Sequence, residues 1–108
     1  MSQLDAATRT PSFGIANRVH LHRQAILAAA SQYGLSNIRI FGSAVRGGDG
    51  AARDLDLLVT GGDETSLFDL SGFQFEVEKL IGVQVDVVEE IALSKYFRES
   101  VLAEAQPL

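Results

Sequence analysis

Two aspartates, Asp54 and Asp56, stand two residues apart in a segment that otherwise has the composition of a buried strand, Leu-x-Leu-Leu-Val. Aspartate is depleted in β-strands, and residues at positions i and i+2 of a strand point to the same face of the sheet. The spacing therefore predicts two carboxylates side by side on one surface. Such a surface is either open to solvent or binds something that carries positive charge.

A third aspartate, Asp86, lies in the later apolar segment VQVDVVEE. The alternating valines of this segment predict its core face, so Asp86 points away from the core, as Asp54 and Asp56 do in their own strand. If the two strands are neighbours, three carboxylates converge, and charges ~4 Å apart repel by roughly 4 kcal/mol at an effective dielectric near 20. Divalent cations would relieve this repulsion, and oxygen ligands without cysteine suit Mg²⁺ or Mn²⁺.

Upstream of these aspartates, the segment IRIF ends in Gly42-Ser43. Where a strand turns into a short helix at such a pair, backbone N–H groups and a hydroxyl can bind an anion, and glycine allows close approach of the backbone. Arg46 would add charge-assisted hydrogen bonds to the same anion. A phosphate-binding turn before a carboxylate pair is what phosphoryl or nucleotidyl transfer requires, and the P-loop motif of other NTP-binding proteins is absent.

Together, these features resemble the DNA polymerase β-type nucleotidyltransferase superfamily, and the chain length is closest to that of its minimal nucleotidyltransferases. The residues that carry the resemblance are Gly42-Ser43, Arg46-Gly47, Asp54-Leu55-Asp56-Leu57 and the distal Asp86. The resemblance implies that Gly42 and Ser43 bind the phosphates of a nucleoside triphosphate. It further implies that Asp54 and Asp56 hold two metal ions, while Asp86 binds one of them and activates the acceptor hydroxyl.

The same resemblance implies a reaction and a partner. Nucleoside monophosphate, with ATP as the expected donor of AMP, would be transferred to a hydroxyl of a separate protein. Family members often act as antitoxins that neutralise a helical HEPN-type toxin, by binding it or by transferring AMP to it. A HEPN-type protein is therefore the expected partner of this chain.

Arg53 departs from the family pattern, in which Ser or Thr commonly precedes the first aspartate. Its guanidinium would either bind a phosphate, together with Arg46, or hinder the nucleotide. Two functions therefore stay open. One is a metal-dependent nucleotidyltransferase, and the other is a catalytically silent binding module of the same fold that blocks its partner by forming a complex.

Apolar periodicity predicts the elements that position these residues. Helices are expected over Asn17–Tyr33, from Leu67 to a stop at Gly82, and over Ser94–Ala105. Strands are expected at Asn37–Phe41, Leu55–Thr60 and Val83–Glu90. This order predicts an α/β (α+β) fold in which helices pack on a small mixed sheet, and the resemblance implies the nucleotidyltransferase fold.

Aromatic residues in the predicted helices suit packing better than base stacking. Phe68, Phe73 and Phe75 fall at helical spacing, which favours contact with the core or with a partner. In the last helix, Phe97 is expected to face inward.

The composition limits the remaining possibilities. A chain of 108 residues fits one domain, expected over residues 15–108 after a flexible leader at 1–14. The net charge of −5 argues against direct nucleic-acid binding, and the absence of cysteine excludes a disulfide or a thiolate metal site. There is neither a signal-peptide pattern nor an apolar run near the ~20 residues of a membrane span, so a cytoplasmic setting is expected.

Overall fold

The computed structural model describes residues 11–46 and 54–108 of the chain. The helices in these ranges are α1 (Pro11–Leu21), α2 (Arg23–Gln32), α3 (Ser43–Arg46), α4 (Leu67–Ile81) and α5 (Lys95–Glu104), with a 3-10 turn at Glu90–Ala92. The strands are β1 (Ser36–Phe41), β2 (Asp54–Thr60), β3 (Gln84–Glu89) and β4 (Gln106–Pro107). Within these ranges, no helix is long and apolar enough to cross a membrane.

The four strands form one mixed sheet in the order β3-β2-β1-β4. β1 pairs antiparallel with both β2 and β4, whereas β2 and β3 run parallel. Parallel neighbours need a crossover connection, and α4 provides it between β2 and β3. The α/β prediction, with helices packed on a small mixed sheet, is confirmed.

The hydrophobic core lies against one face of the sheet. β2 contributes Leu55, Leu57 and Val59 to it, and β3 contributes Val85, all of them fully buried. The buried core residues of α1, α2 and α4 are Ile15, Val19, Ile26, Ala30, Phe73, Val77 and Ile81. Because strand side chains alternate between faces, burial of the apolar set leaves the aspartates of β2 on the opposite face, as predicted.

The opposite face is less polar than the sequence suggests, because Leu58 shares that face with the aspartates and is also fully buried. Its partners in the neighbouring strands are Arg39 and Val88. The side chain of Arg39 is only 11% exposed, and its guanidinium lies 2.7 Å from the carboxylate of Glu90. The face thus has a covered end near Leu58 and an open end that carries the aspartates.

The predicted first helix is divided in two at His22, with φ −102° and ψ 15°. α1 already begins at Pro11, where proline suits the first helical position because its missing N–H needs no partner there. The last four positions of the leader predicted over residues 1–14 are therefore helical, and the others lie outside the described residues. The division into a leader and a single domain stays a prediction.

The end of α4 agrees with its prediction. Gly82 adopts the left-handed conformation with φ +82°, and its N–H donates to the carbonyl of Glu78. At the other end, Ser66 and Asp69 form a capping box in which each side chain accepts a hydrogen bond from the other residue's backbone N–H.

The C-terminal segment differs from the prediction. Phe97 is 63% exposed rather than inward, and none of the residues in α5 is buried. β4, which the sequence pattern did not predict, adds a short edge to the sheet beside Ile40. Phe97 is exposed because α5 does not pack on the apolar core. Ser100 and Val101 of this helix instead line a cavity together with Asp56.

Candidate active site

The pairing of β2 with β3 brings two of the predicted site residues together. Asp56 is the direct neighbour of Asp86, and Asp54 is the neighbour of Gln84. Adjacent strands lie about 4.8 Å apart and their paired side chains share a face. Asp54 and Asp86 are exposed and Asp56 is half-buried. All three aspartates therefore lie on one face, with Asp54 two residues before Asp56 at the start of β2.

These carboxyl groups do not form a closed ligand set. Among residues 11–46 and 54–108, no three His, Cys, Asp or Glu side chains are placed to hold one metal ion. Like charges on one face repel, which favours carboxylates that are spread apart. The oxygen-only donor set is nevertheless the type that Mg²⁺ and Mn²⁺ take. The assignment of Asp54, Asp56 and Asp86 as metal ligands stays a prediction.

The glycine-serine turn lies directly against these aspartates. Phe41, the last residue of β1, is paired with Asp56, and Gly42 follows it with φ +79°. A Cβ atom at Gly42 would overlap the carboxyl group of Asp56. Ser43 then begins α3. Glycine suits this position for two reasons, the positive φ and the close approach of the Asp56 side chain.

We expect the Gly42→Ala variant to lose at least about tenfold in nucleotidyl transfer, because the new methyl group displaces the Asp56 carboxyl and small misplacements are costly in catalysis. Gly34→Ala is the matched control, since Gly34 also has a positive φ of +72°, but a methyl group added there would meet no heavy atom within 4 Å. Both variants should lose about 1 kcal/mol or more of unfolding free energy in urea denaturation. Equal transfer rates for the two variants would contradict the proposed role of Gly42.

The structure does not describe the side chains of the two predicted cationic nucleotide ligands, Arg46 and Arg53. Arg46 is the last residue of α3, but its side chain lies outside the described part of the structure. Arg53 lies outside the described residues altogether. Their roles stay predictions.

Glu104 is a site residue that the sequence analysis missed. The N–H of Gly42 donates a hydrogen bond to Oε1 of Glu104 at 2.8 Å. The two residues are 62 positions apart in the chain, so no local motif indicates this contact. In the structure, the acceptor of the Gly42 amide is thus a carboxylate oxygen.

A cavity of about 370 Å³ lies at this contact, within the size range of small-molecule sites. Its lining residues are Phe41, Gly42, Asp56, Ser100, Val101 and Glu104. The turn and the central aspartate form one wall, and α5 forms the other. This cavity is the candidate nucleotide site.

Another cavity, of about 320 Å³, lies at the opposite end of β2. Its lining includes Asp63, Glu89 and Glu90, and its cation, Arg98, lies 3.2 Å from the carboxylate of Glu90. None of the described residues that line this cavity belongs to the predicted site, whereas the cavity beside Gly42 combines the glycine-serine turn with Asp56. The cavity beside Gly42 is therefore the better candidate for the nucleotide site.

Comparison with known proteins identifies the family of the chain. The family model described as a nucleotidyltransferase domain matches residues 22–108. A Methanocaldococcus jannaschii protein with the provisional name protein adenylyltransferase is 30% identical over 83 residues, which cover 77% of this chain and 89% of that protein. A solved structure, provisionally called a minimal nucleotidyltransferase, is 39% identical with a TM-score of 0.74 and covers 83% of this chain and 92% of its own.

More distant structures share the fold. A toxin–antitoxin structure with AMP-PNP is 19% identical, with a TM-score of 0.65, and the match covers 78% of this chain and 69% of that one. A chain in the structure of a tri-AMPylated Shewanella oneidensis HEPN toxin in complex with MNT antitoxin is 18% identical, with a TM-score of 0.62, and the match covers 82% of this chain and 69% of that one. The family model spans most of the chain, and the matched structures agree with its architecture. The chain therefore belongs to the nucleotidyltransferase domain family, as an enzyme with the minimal nucleotidyltransferase fold.

Proposed function

We propose that this chain transfers AMP from ATP to a hydroxyl of a separate partner protein, and that the reaction depends on Mg²⁺ or Mn²⁺. The observation that carries the proposal is the position of Asp56. It lies beside Asp86 through the β2–β3 register and against Gly42 of the turn. Asp56 therefore lies between a second carboxylate, with which it could bind a metal ion, and a backbone amide that could bind a phosphate.

The side chains of the site have distinct roles in this proposal. The Gly42 N–H and the Ser43 hydroxyl hold the β- and γ-phosphates of ATP. Asp54, Asp56 and Asp86 would hold the divalent ions. When bound, these ions would neutralise the negative charge of the phosphates. Arg46 and Arg53 add positive charge beside the polyanion.

Asp86 also orients the acceptor hydroxyl and accepts its proton. The hydroxyl oxygen forms a bond with the α-phosphorus while the bond between that phosphorus and the bridging oxygen breaks, so pyrophosphate leaves. Asp86 suits this role because it is exposed, and an acceptor from another protein can reach it.

The partner and the nucleotide are inferred from the relatives. The M. jannaschii relative carries the name of a protein adenylyltransferase, which supports AMP as the group transferred and a protein as the acceptor. The toxin–antitoxin neighbours, one of them with an AMPylated HEPN toxin, support a HEPN-type partner and an antitoxin role.

The surface of α5 is also suited to a protein acceptor. Tyr96 and Phe97 are 90% and 63% exposed, and Ser100 of the same helix lines the candidate site. A helix of this length spans only about 15 Å. A protein that packs on these two aromatic rings would therefore bring its own hydroxyl close to the aspartates.

An intact-mass measurement tests the proposal. The purified chain is incubated with Mg²⁺, each NTP in turn and a HEPN-type protein with which it co-purifies. With ATP, we expect the partner, and not this chain, to gain ~329 Da for each AMP transferred through in-line attack on the α-phosphorus. ATP with a methylene group between the α- and β-phosphorus atoms is the control, because that bond does not break.

The alternative function predicts a different outcome. A catalytically silent binding module would neutralise its partner at one-to-one stoichiometry and leave its mass unchanged. That result would exclude transfer to this partner.

A further inference from the structure

Glu104 accepts a hydrogen bond from the same backbone N–H to which the proposed function assigns a phosphate oxygen. The carboxylate lies 2.8 Å from the Gly42 nitrogen and lines the candidate nucleotide cavity together with Asp56. One N–H group makes one strong hydrogen bond at a time. A phosphate and the Glu104 carboxylate therefore compete for it.

We propose that Glu104 is an internal competitor of the nucleotide, so that ATP binds only when the Glu104 carboxylate leaves the Gly42 amide. This inference rests on the proposed function, because it takes the ligand of the turn to be a triphosphate. It goes beyond that function in assigning a residue of α5 as a regulator of nucleotide affinity.

Two physical effects make the competition strong. The hydrogen bond joins a carboxylate to a backbone amide, and such charge-assisted bonds are stronger than neutral ones. The carboxylate also repels the phosphates of ATP, since like charges in a partly enclosed cavity are poorly screened. Both effects lower the apparent affinity for nucleotide while Glu104 stays in place.

The release of Glu104 does not require the C-terminal segment to detach. Directly after Glu104, β4 is held by its pairing with β1, and the N–H of Leu108 donates to the carbonyl of Ile38 at 3.1 Å. Arg23 Nε donates to the Leu108 carbonyl at 2.8 Å. With the backbone held on this side, rotation of the Glu104 side chain is the motion that frees the amide.

Nearer the other end of α5, Arg98 contacts Glu90. Arg98 donates to the backbone carbonyl of Glu90 at 3.1 Å and to its side chain at 3.2 Å. None of the residues 95–104, which form α5, is buried. Displacement of the Glu104 side chain from Gly42 therefore disturbs no buried residue of α5.

Titration of the protein with Mg²⁺–ATP by calorimetry tests the competition. For Glu104→Ala we expect about tenfold or more tighter binding than for the parent, the factor that corresponds to one charge-assisted hydrogen bond. Glu104→Gln keeps an acceptor oxygen but removes the charge, so its affinity should fall between the two. Glu99→Ala is the matched control, because it removes the same charge from an exposed position of the same helix and should leave the affinity unchanged.

Hydrogen exchange at the Gly42 amide provides a readout that is independent of ATP binding. Without nucleotide, this amide should exchange faster in Glu104→Ala than in the parent or in Glu99→Ala. Equal exchange in all three proteins would show that the contact is absent in solution and would overturn the inference. Melting curves of the nucleotide-free variants establish that each is folded.

The outcomes separate this inference from the proposed function. If the parent binds ATP and Glu104→Ala binds it equally or more weakly, the competition is overturned while the proposed function stands. If neither protein binds ATP, the nucleotide site and the competition are both overturned. If only Glu104→Ala binds ATP, the competition is supported in its strongest form.

Discussion

The Asp56→Asn variant should transfer nucleotide at least about a hundredfold more slowly than the parent. Asparagine has nearly the volume of aspartate but lacks the negative charge that would hold a divalent ion. Loss of even ~3 kcal/mol of charge stabilisation in the transition state corresponds to roughly this factor. The rate is measured as AMP incorporated into the partner protein.

Asp63→Asn is the control for this experiment. Asp63 is exposed in the loop that follows β2, so its replacement removes the same charge away from the candidate site. Its transfer rate should equal that of the parent. If Asp56→Asn also retained the full rate, the aspartates of β2 would be part of a solvated strand face, the alternative that the sequence left open.

Ligand-dependent melting curves examine the same site without an activity assay. Asp86→Asn changes an exposed residue, so without metal its stability should stay within about 0.5 kcal/mol of the parent. The upward shift of melting temperature by Mn²⁺ and ATP should shrink, because a ligand stabilises only through its affinity for the native state. If the parent's melting temperature does not move with Mn²⁺ and ATP, the metal-site assignment is wrong.

Phe73→Ala should destabilise the fold by about 3–5 kcal/mol, the usual effect of deleting a buried phenyl ring. Phe73 is fully buried in the core between α4 and the sheet, and removal of the ring leaves a cavity as well as lost burial. Domains of this size are stable by only about 5–15 kcal/mol. Urea denaturation measures the loss as a lower midpoint at an unchanged slope.

Phe68→Ala is the matched control, since it makes the same substitution in the same helix. Phe68 is 88% exposed, so its replacement should change the stability by no more than about 0.5 kcal/mol. Similar losses for both variants would mean that Phe68 is covered in solution, for instance by a partner or by a second copy of the chain.

These two phenylalanines show where prediction from the sequence ends. Helical spacing indicated that Phe68, Phe73 and Phe75 belong to one helix, and α4 contains all three. Contact with the core is confirmed for Phe73, whereas Phe68 and Phe75 are exposed, so contact with a partner stays a prediction for these two. Which face of a helix becomes buried depends on where the sheet lies, and that is a property of the whole chain.

Gly72 illustrates the same limit. In the sequence, a glycine inside a helix indicates only a weakened helix. In the structure, a Cβ atom at Gly72 would overlap the ring of Tyr33, which packs against the core. The glycine therefore allows α4 to pack closely on Tyr33, the residue that directly follows α2, a reason that depends on a distant segment and that no local pattern contains.

The sequence by itself determined the alternation within β2, the glycine-serine turn and the stop of α4 at Gly82, because these depend on neighbouring residues and on the fixed periods of strands and helices. Only the tertiary structure decided that β2 and β3 are parallel neighbours in the register that joins Asp56 to Asp86. It also decided that Glu104 reaches the amide of Gly42. The physical reason is that strand pairing and side-chain contact between distant segments follow from packing of the whole core, whereas the direction of a side chain within a strand follows from its own backbone.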